Sequence, residues 1–370
     1  MIIGIPKEIK NQEYRVGLIP SQVHTLTQQG HQVYVQTGAG LGVGMLDMDY
    51  QRAGARIVEV EELFQKAELI VKVKEPQANE IALLKPGQVL FTYLHLAPDL
   101  QQTNGLIGSG VTAIAYETVR TVQGALPLLT PMSEVAGRMS VQAAAHQLEK
   151  RQGGRGILLS GIPGVEAAEV LILGAGIVGS NALQIAVGMG ARVRVVDKNV
   201  QRLRELDQIY GSRIQTIYPD ELSLASLYEQ SDVVIGAVLI PGGSAPKLLK
   251  RQHLSNMKKG SVLIDVAIDQ GGCFETSRPT THDHPTFEID GVVHYCVANM
   301  PGAVPRTSTL GLVNATFPYV QAIANQGLEN AIQADASLRA GVSVHQHQLT
   351  CQAVAVSQNR PFKTIESLLK

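Results

Sequence analysis

The chain has 370 residues, 45% of them hydrophobic and 17% charged, with a formal net charge of −1. That length calls for two domains, each with its own core, and the near-neutral balance offers no electrostatic grip on nucleic acid or an anionic membrane. Aromatic residues at 4% and the absence of tryptophan argue against base-stacking platforms, and three distant cysteines (Cys273, Cys296, Cys351) form neither a disulfide framework nor a metal-binding Cys-x-x-Cys pair.

The N-terminus, MIIGIPKEIK, lacks the basic segment and long apolar run of a secretory signal. No stretch approaches the roughly 18 apolar residues of a membrane span, so a cytoplasmic protein is expected. The first third of the chain alternates strand-like and helical runs, an α/β pattern. Strands are expected at 2–5, 32–36, 69–73, 89–93 and 111–115, and helices at 21–29 and 98–107. Ser133 is placed to N-cap a helix over 134–150 that stops before Gly153-Gly154. From 169 the pattern restarts, with strands expected at 169–173, 192–196, 215–218, 232–238, 261–268 and 294–298. Six strands with interleaved helices make a doubly wound nucleotide domain. A long apolar-striped helix is expected over 307–325, followed by a polar tail to Lys370.

The strongest motif is EVLILGAGIVGSNALQIAVGMGARVRVVDK, in which Gly174-Ala175-Gly176-Ile177-Val178-Gly179 joins an apolar strand to an apolar helix. In such a turn Gly174 permits the tight bend, Gly176 lets a pyrophosphate approach, and Gly179 lets helix and strand pack closely. The N–H groups at the helix start attract phosphate charge. Asp197, 18 residues beyond Gly179, closes the second strand. A carboxylate there accepts bonds from the adenosine hydroxyls and repels a 2′-phosphate, favouring NAD over NADP, although Lys198, Arg202 and Arg204 soften that preference. Three later strand ends run into Gly or Pro: Val238-Leu239, Val266-Ala267-Ile268-Asp269 and Val297-Ala298-Asn299-Met300. Asp269 is the only carboxylate among them, and suits either a turn cap or a functional role.

On the other half, Arg15 lies in a polar segment, PKEIKNQEYRVGLIP, and suits either solvation or the forked grip of a carboxylate. Lys72 and Lys74 share one face of a strand end that Pro76 terminates, and taken alone both fit a solvated surface. The run VLFTYLHLA reads as a buried strand with His95 near its end, a core histidine or a proton-handling group.

Taken together, GIPKEIKNQEYRVGLIP, VKVKEP, FTYLHLA, AYETV, LPLLTPMSEVAGR, LGAGIVG, DVAIDQGGCFETSRPTTHDHPTF and YCVANMPGAVPRTST resemble the alanine dehydrogenases over the whole chain. The related NAD-binding subunit of proton-translocating transhydrogenases shares the RVGLIP-like and glycine motifs and is the runner-up, with a catalytically silent NADH-binding homologue as a third possibility. The resemblance implies reversible, NAD-dependent oxidative deamination of L-alanine to pyruvate and ammonium. It places the carboxylate-binding arginine on Arg15, the substrate-contacting lysine on Lys74, and the catalytic histidine and aspartate on His95 and Asp269. It places nucleotide contacts on Ser133, Ile177, Val178, Asp197, Arg202, Val238, Leu239, Val266, Ala267, Ile268, Asp269, Val297, Ala298, Asn299 and Met300. It further implies two Rossmann-like doubly wound α/β domains with a cleft between them. The substrate domain would be discontinuous (1–132 and 305–370) and the NAD domain would span 133–304, linked by helices near 134–150 and 307–325. A homohexamer is implied as well. His95 is then expected on the rigid strand, facing the cleft opposite Asp269. A divalent-ion site of some relatives uses a histidine where this chain has Gln326, so no metal is expected. His282-x-His284 and His345-x-His347 are expected to be solvent-exposed.

Overall fold

The computed structural model describes residues 1–238 and 245–369. The chain divides into two compact units, Met1–Met132 with Val304–Lys370, and Ser133–Ala303. The first contributes strands β1 (Ile2–Ile5), β2 (Gln32–Gln36), β3 (Arg56–Val58), β4 (Leu69–Val71), β5 (Val89–Thr92) and β6 (Thr112–Ala115). The second contributes β7 (Glu169–Leu173), β8 (Arg192–Val196), β9 (Ile214–Ile217), β10 (Val233–Gly236), β11 (Val262–Asp265), β12 (Thr286–Ile289) and β13 (Val292–Tyr295). The C-terminal stretch returns β14 (Val342–His345) and β15 (Gln348–Leu349) to the first unit.

The first sheet is ordered β15-β14-β6-β5-β4-β1-β2-β3, parallel except for the antiparallel pairs that β14 makes with β6 and β15. The second is ordered β12-β13-β11-β10-β7-β8-β9, parallel except at the β12 edge. In each, the strand order reverses beside the first strand of the unit, so both are doubly wound Rossmann-like sheets. Central parallel strands of this kind are covered on both faces and are nearly continuous apolar runs. Accordingly Ile3, Leu69, Ile70, Leu90, Phe91, Ala113 and Ile114 have no exposed surface. Each of these isoleucine, leucine and phenylalanine side chains contributes roughly 1.5–3 kcal/mol through burial.

Several expectations are corrected. β5 stops at Thr92, and β11 stops at Asp265 because Ile268–Gln270 winds into a 3-10 turn. The helix expected from 134 runs Thr130–Gln147, which puts Ser133 inside its first turn instead of at its N-cap. The long helix spans Pro305–Gln326, begins on a proline and ends before Gly327 at φ 80°. The stretch beyond it is no tail: helices Leu328–Ala334, Ala336–Gly341 and Gln352–Ser357 flank β14, whose four residues are all buried beside β6. Strands β3 and β12 were not anticipated; both carry exposed polar side chains and are at most four residues long. No helix among the described residues is long and apolar enough to cross a membrane.

Candidate functional site

In the second unit β7 delivers the chain to Gly174, whose φ of 100° and 2.8 Å separation between a built Cβ and Ala237 O admit no side chain. Gly176 then opens the helix Ile177–Gly188 without a side-chain cap, and a Cβ built on it meets nothing within 4 Å. At Gly179 a Cβ would stand 1.8 Å from Gly174 O, so helix and turn touch backbone to backbone. Uncapped N–H groups beneath open space suit the pyrophosphate of a dinucleotide. The Ala175 N–H donates to Asp197 Oδ2 at 2.7 Å, and its carbonyl accepts from Arg202 Nε at 3.0 Å. Arg202 also donates to Ser180 Oγ and Glu205, both at 2.7 Å, while Asp197 Oδ1 takes the Asn199 N–H. The acid and the cation thus both hold the glycine turn. Ile177 is exposed, and Val178 and Ser133 are half-buried.

The strand ends differ in burial. Val238 is half-buried just past β10, and Leu239 lies outside the described residues. Past β11, the buried Asp265 carboxylate accepts from Cys273 N at 3.0 Å, Phe274 N at 3.3 Å and Ser277 Oγ at 2.5 Å. This folds the loop back on itself, with Ile268 buried, Val266 and Ala267 half-buried, and Asp269 exposed. Past β13, Val297 and Met300 are buried, and Ala298 and Asn299 are half-buried. Asn299 is in the left-handed region at φ 60°.

In the first unit Arg15 is 2% exposed, not solvated. Its Nε and Nη2 grip Glu13 at 2.7 and 2.5 Å, and Nη1 lies 3.0 Å from Met132 Sδ. Burial disfavours the guanidinium charge, but Glu13 outweighs this and holds Arg15 above its ordinary range. Lys72 overturns the surface expectation: it is fully buried, 2.6 Å from Glu80 and 3.4 Å from Glu8, a structural ion group within the fold. Lys74 is half-buried, and burial followed by the Arg15 charge draws its ammonium below the ordinary lysine range. Its carbonyl accepts from Thr92 Oγ1 at 2.8 Å, tying it to β5.

His95 is exposed, and the strand does not hold it, which corrects the expected rigid mount. It adopts φ 50°, and its N–H donates to Glu117 Oε1 at 2.6 Å. The Leu94 N–H points at both oxygens of the same carboxylate, at 3.1 and 3.2 Å. The His95 ring lies 3.8 Å through Nδ1 from Glu75 Oε2 and 5.9 Å from the Tyr93 ring. Glu13 thus pairs with Arg15, Glu75 faces His95, and both carboxylates act on the Lys74 ammonium, whereas the first lysine of the motif, Lys72, pairs with Glu80 and Glu8 instead.

Sequence reasoning missed Glu13, Glu75 and Glu117. For the first two a signal existed: each lies within two residues of a singled-out cation. His345 also departs from expectation, being buried with Nδ1 2.9 Å from Thr112 Oγ1. His282 is half-buried against Asn299 O at 3.2 Å. Among the described residues no three His, Cys, Asp or Glu side chains cluster to hold a metal.

Residues 4–136 match the N-terminal domain of the family described as alanine dehydrogenase/PNT, and residues 140–352 match its C-terminal domain. The chain is 56% identical over 370 residues to the alanine dehydrogenase of Halomonas elongata, covering all of both chains. A solved L-alanine dehydrogenase aligns with a TM-score of 0.95 at 50% identity, over 97% of this chain and 99% of that one. A solved transhydrogenase from Sinorhizobium meliloti aligns with a TM-score of 0.82 at 25% identity, over 95% of this chain and 100% of that one. With both of its halves matched and an identity above one half across its length, the chain belongs to the alanine dehydrogenase/PNT family.

Proposed function

We propose that the protein is an NAD-dependent oxidoreductase that deaminates L-alanine to pyruvate and ammonium and runs the reverse amination. The observation that carries this reading is the joined set Arg15, Lys74 and His95 in a chain 56% identical to an alanine dehydrogenase. The transhydrogenase reading has weaker support, its relative sharing 25% identity against 50% for the solved alanine dehydrogenase.

The first unit would bind substrate. Arg15, oriented by Glu13 along its Nε–Nη2 edge, would meet the substrate carboxylate, for which a guanidinium fork is well matched. Lys74, its ammonium weakened by burial and Arg15, would donate to the keto or carbinolamine oxygen. His95, exposed beside Glu75, would move the proton of the carbinolamine hydroxyl, a role typically worth about 10²–10⁴ in rate. The second unit would bind NAD: Gly174, Gly176 and Gly179 would shape the pyrophosphate turn, and Asp197 would accept from the adenosine ribose. Arg202, Ser133, Ile177, Val178, Val238, Leu239, Val266, Ala267, Ile268 and Val297–Met300 would line the rest. When bound, the nicotinamide supplies the acceptor for the hydrogen on the alanine Cα. Asp269 would balance positive charge developing on the substrate nitrogen. A homohexamer in the cytoplasm completes the proposal, without a resident metal.

The test follows absorbance at the NADH band with purified protein, L-alanine and NAD at alkaline pH. Steady NADH formation with matching pyruvate supports the proposal. Nucleotide binding without turnover, or hydride exchange between two nucleotides alone, would overturn it.

A further inference from the structure

Glu75 follows Lys74 directly, and its two carboxylate oxygens have different surroundings. Oε1 pairs with the partly exposed Lys10 ammonium. Oε2 is closed off from solvent and has no hydrogen-bond partner among the described residues. The donor that approaches it is the imidazole of His95, with Nδ1 at 3.8 Å. An anionic oxygen withdrawn from water and given no donor is costly, and such an atom calls for an explanation, a catalytic role among them. Burial raises the Glu75 carboxyl, but the bond and charge of Lys10 and the charge of Lys74 outweigh it and bring it below the usual carboxylate range. Glu75 is therefore an anion at neutral pH.

We propose that Glu75 is the positioning residue of His95: its Oε2 accepts the Nδ1–H, fixes the ring in the tautomer that leaves Nε2 unprotonated, and steadies the imidazolium formed when Nε2 takes a proton. This rests on the reading of His95 as the acid/base. The nitrogen of a histidine that does the chemistry is set by the bond its other nitrogen makes. In ligand-free sites such bonds are often long and tighten with substrate, so 3.8 Å calls for a small ring rotation only. The backbone need not move, because Glu117 already holds the His95 N–H. The other neighbour of the ring, Tyr93, gives its hydroxyl to Leu128 O at 2.6 Å. Lys10 and Lys74 act on Glu75, and the Glu117 carboxylate is engaged by the backbone. No proton passes to Glu75: Nδ1 keeps its hydrogen, while Nε2 takes the proton of the carbinolamine hydroxyl and returns it when the step reverses.

Glu75→Ala and the isosteric Glu75→Gln test this in the full enzyme. Expected is a fall in kcat of about 10–100-fold, part of the 10²–10⁴ that acid–base catalysis supplies, with the KM for pyruvate nearly unchanged. Side-chain 15N–1H correlation at alkaline pH, with His95 assigned by its loss in His95→Ala, should show the Nδ1–H tautomer in the parent and a mixture in both variants. In the His95→Ala background, Glu75→Ala should lower kcat no further. Parental kcat in both variants, an unchanged His95 tautomer, or losses that simply multiply in the double variant would each overturn the assignment. If His95→Ala alone retained parental kcat, the acid/base reading would fall, and the tautomer measurement would still decide whether Glu75 orients the ring. Because Glu75→Gln preserves side-chain volume, it supplies the answer if the alanine variant does not fold.

Discussion

Replacing Glu117 by alanine asks whether backbone restraint alone places the His95 ring. Glu117 stands in the 3-10 turn Tyr116–Thr118 after β6 and takes the N–H groups of Leu94 and His95 at 2.6–3.2 Å. Hydrogen bonds to a charged group contribute about 1.5–3 kcal/mol each. The site is partly exposed, so the low end applies, and two donors give about 3 kcal/mol. Against this, the left-handed backbone of His95, at φ 50°, costs a non-glycine residue about 1–2 kcal/mol. The carboxylate prevails by only about 1–2 kcal/mol, so without it the segment relaxes to negative φ and carries the ring away. A displacement of about 1 Å at a reacting group can cost about 10²-fold in rate. The alanine variant is therefore expected to lose about 10²-fold in kcat for pyruvate amination while its Tm drops by only a few degrees, roughly 2–4 °C per kcal/mol at this size. Glu117→Gln keeps an acceptor oxygen and should lie between. Steady-state kinetics beside calorimetry make the measurement. Parental kcat together with a lowered Tm in the alanine variant would refute the reasoning, because the restraint would then be structural only.

The second unit and the titratable groups give three further expectations. Asp197→Ala removes the anion that holds Ala175 N, so NADH should bind more weakly and NADPH relatively better in a fluorescence titration; an unchanged ratio between the two would count against Asp197 as the ribose partner. Burial pushes the Cys296 thiol up to about 12 and the Cys273 thiol well above its usual range, leaving both un-ionised and unreactive near neutral pH. Half-buried Cys351 should therefore take up iodoacetamide first, with Cys273 and Cys296 labelled only on unfolding, as peptide mapping by mass spectrometry will show. Burial raises the Glu13 carboxyl, but the bonds and charge of Arg15 outweigh it and leave it below the ordinary 4.5. A carboxyl depressed in the folded state stabilises that state above the unfolded pKa, and the stability is lost as pH falls through the folded value. Glu13→Gln should accordingly flatten the acid limb of denaturant-measured stability below about pH 4.5, and an unaltered limb would show that the pair contributes nothing there.

The parallel cores were legible because a strand covered on both faces has to be apolar along most of its length, as β5 and β11 are up to their last residues, Thr92 and Asp265. The elements that were not legible lack that constraint or are too short to display it. β3 has three residues and begins with an exposed arginine, and β12 is an edge strand without one buried residue. β14 hides the other way: Ser343 and His345 look like a polar tail, yet both are buried, His345 because Thr112 on the adjoining strand meets its Nδ1. Helix ends shifted for a comparable reason. A serine before a glutamate is a fair N-cap signal, but the turn from Thr130 to Ser133 is helical already.

The candidate site divides along the same line. The glycine turn carries its geometry in its own residues, since Gly174 needs φ 100° and Gly179 has no room for a Cβ, and the local sequence alone is enough to expect both. The cations were visible as residue types, but their environments were not, because neighbouring glutamates look like solvated charge. Glu13 beside Arg15 and Glu75 beside Lys74 could have been suspected from adjacency. Nothing local singles out Glu117 for His95: it lies 22 residues away, and only the parallel pairing of β5 with β6 sets the two loops side by side. VLFTYLHLA looks like one uninterrupted strand because its side chains are apolar, yet the ladder ends at Thr92, three residues before the histidine. A left-handed histidine has no signature of its own. It requires an acceptor for two successive N–H groups, and that acceptor comes from the next strand of the sheet.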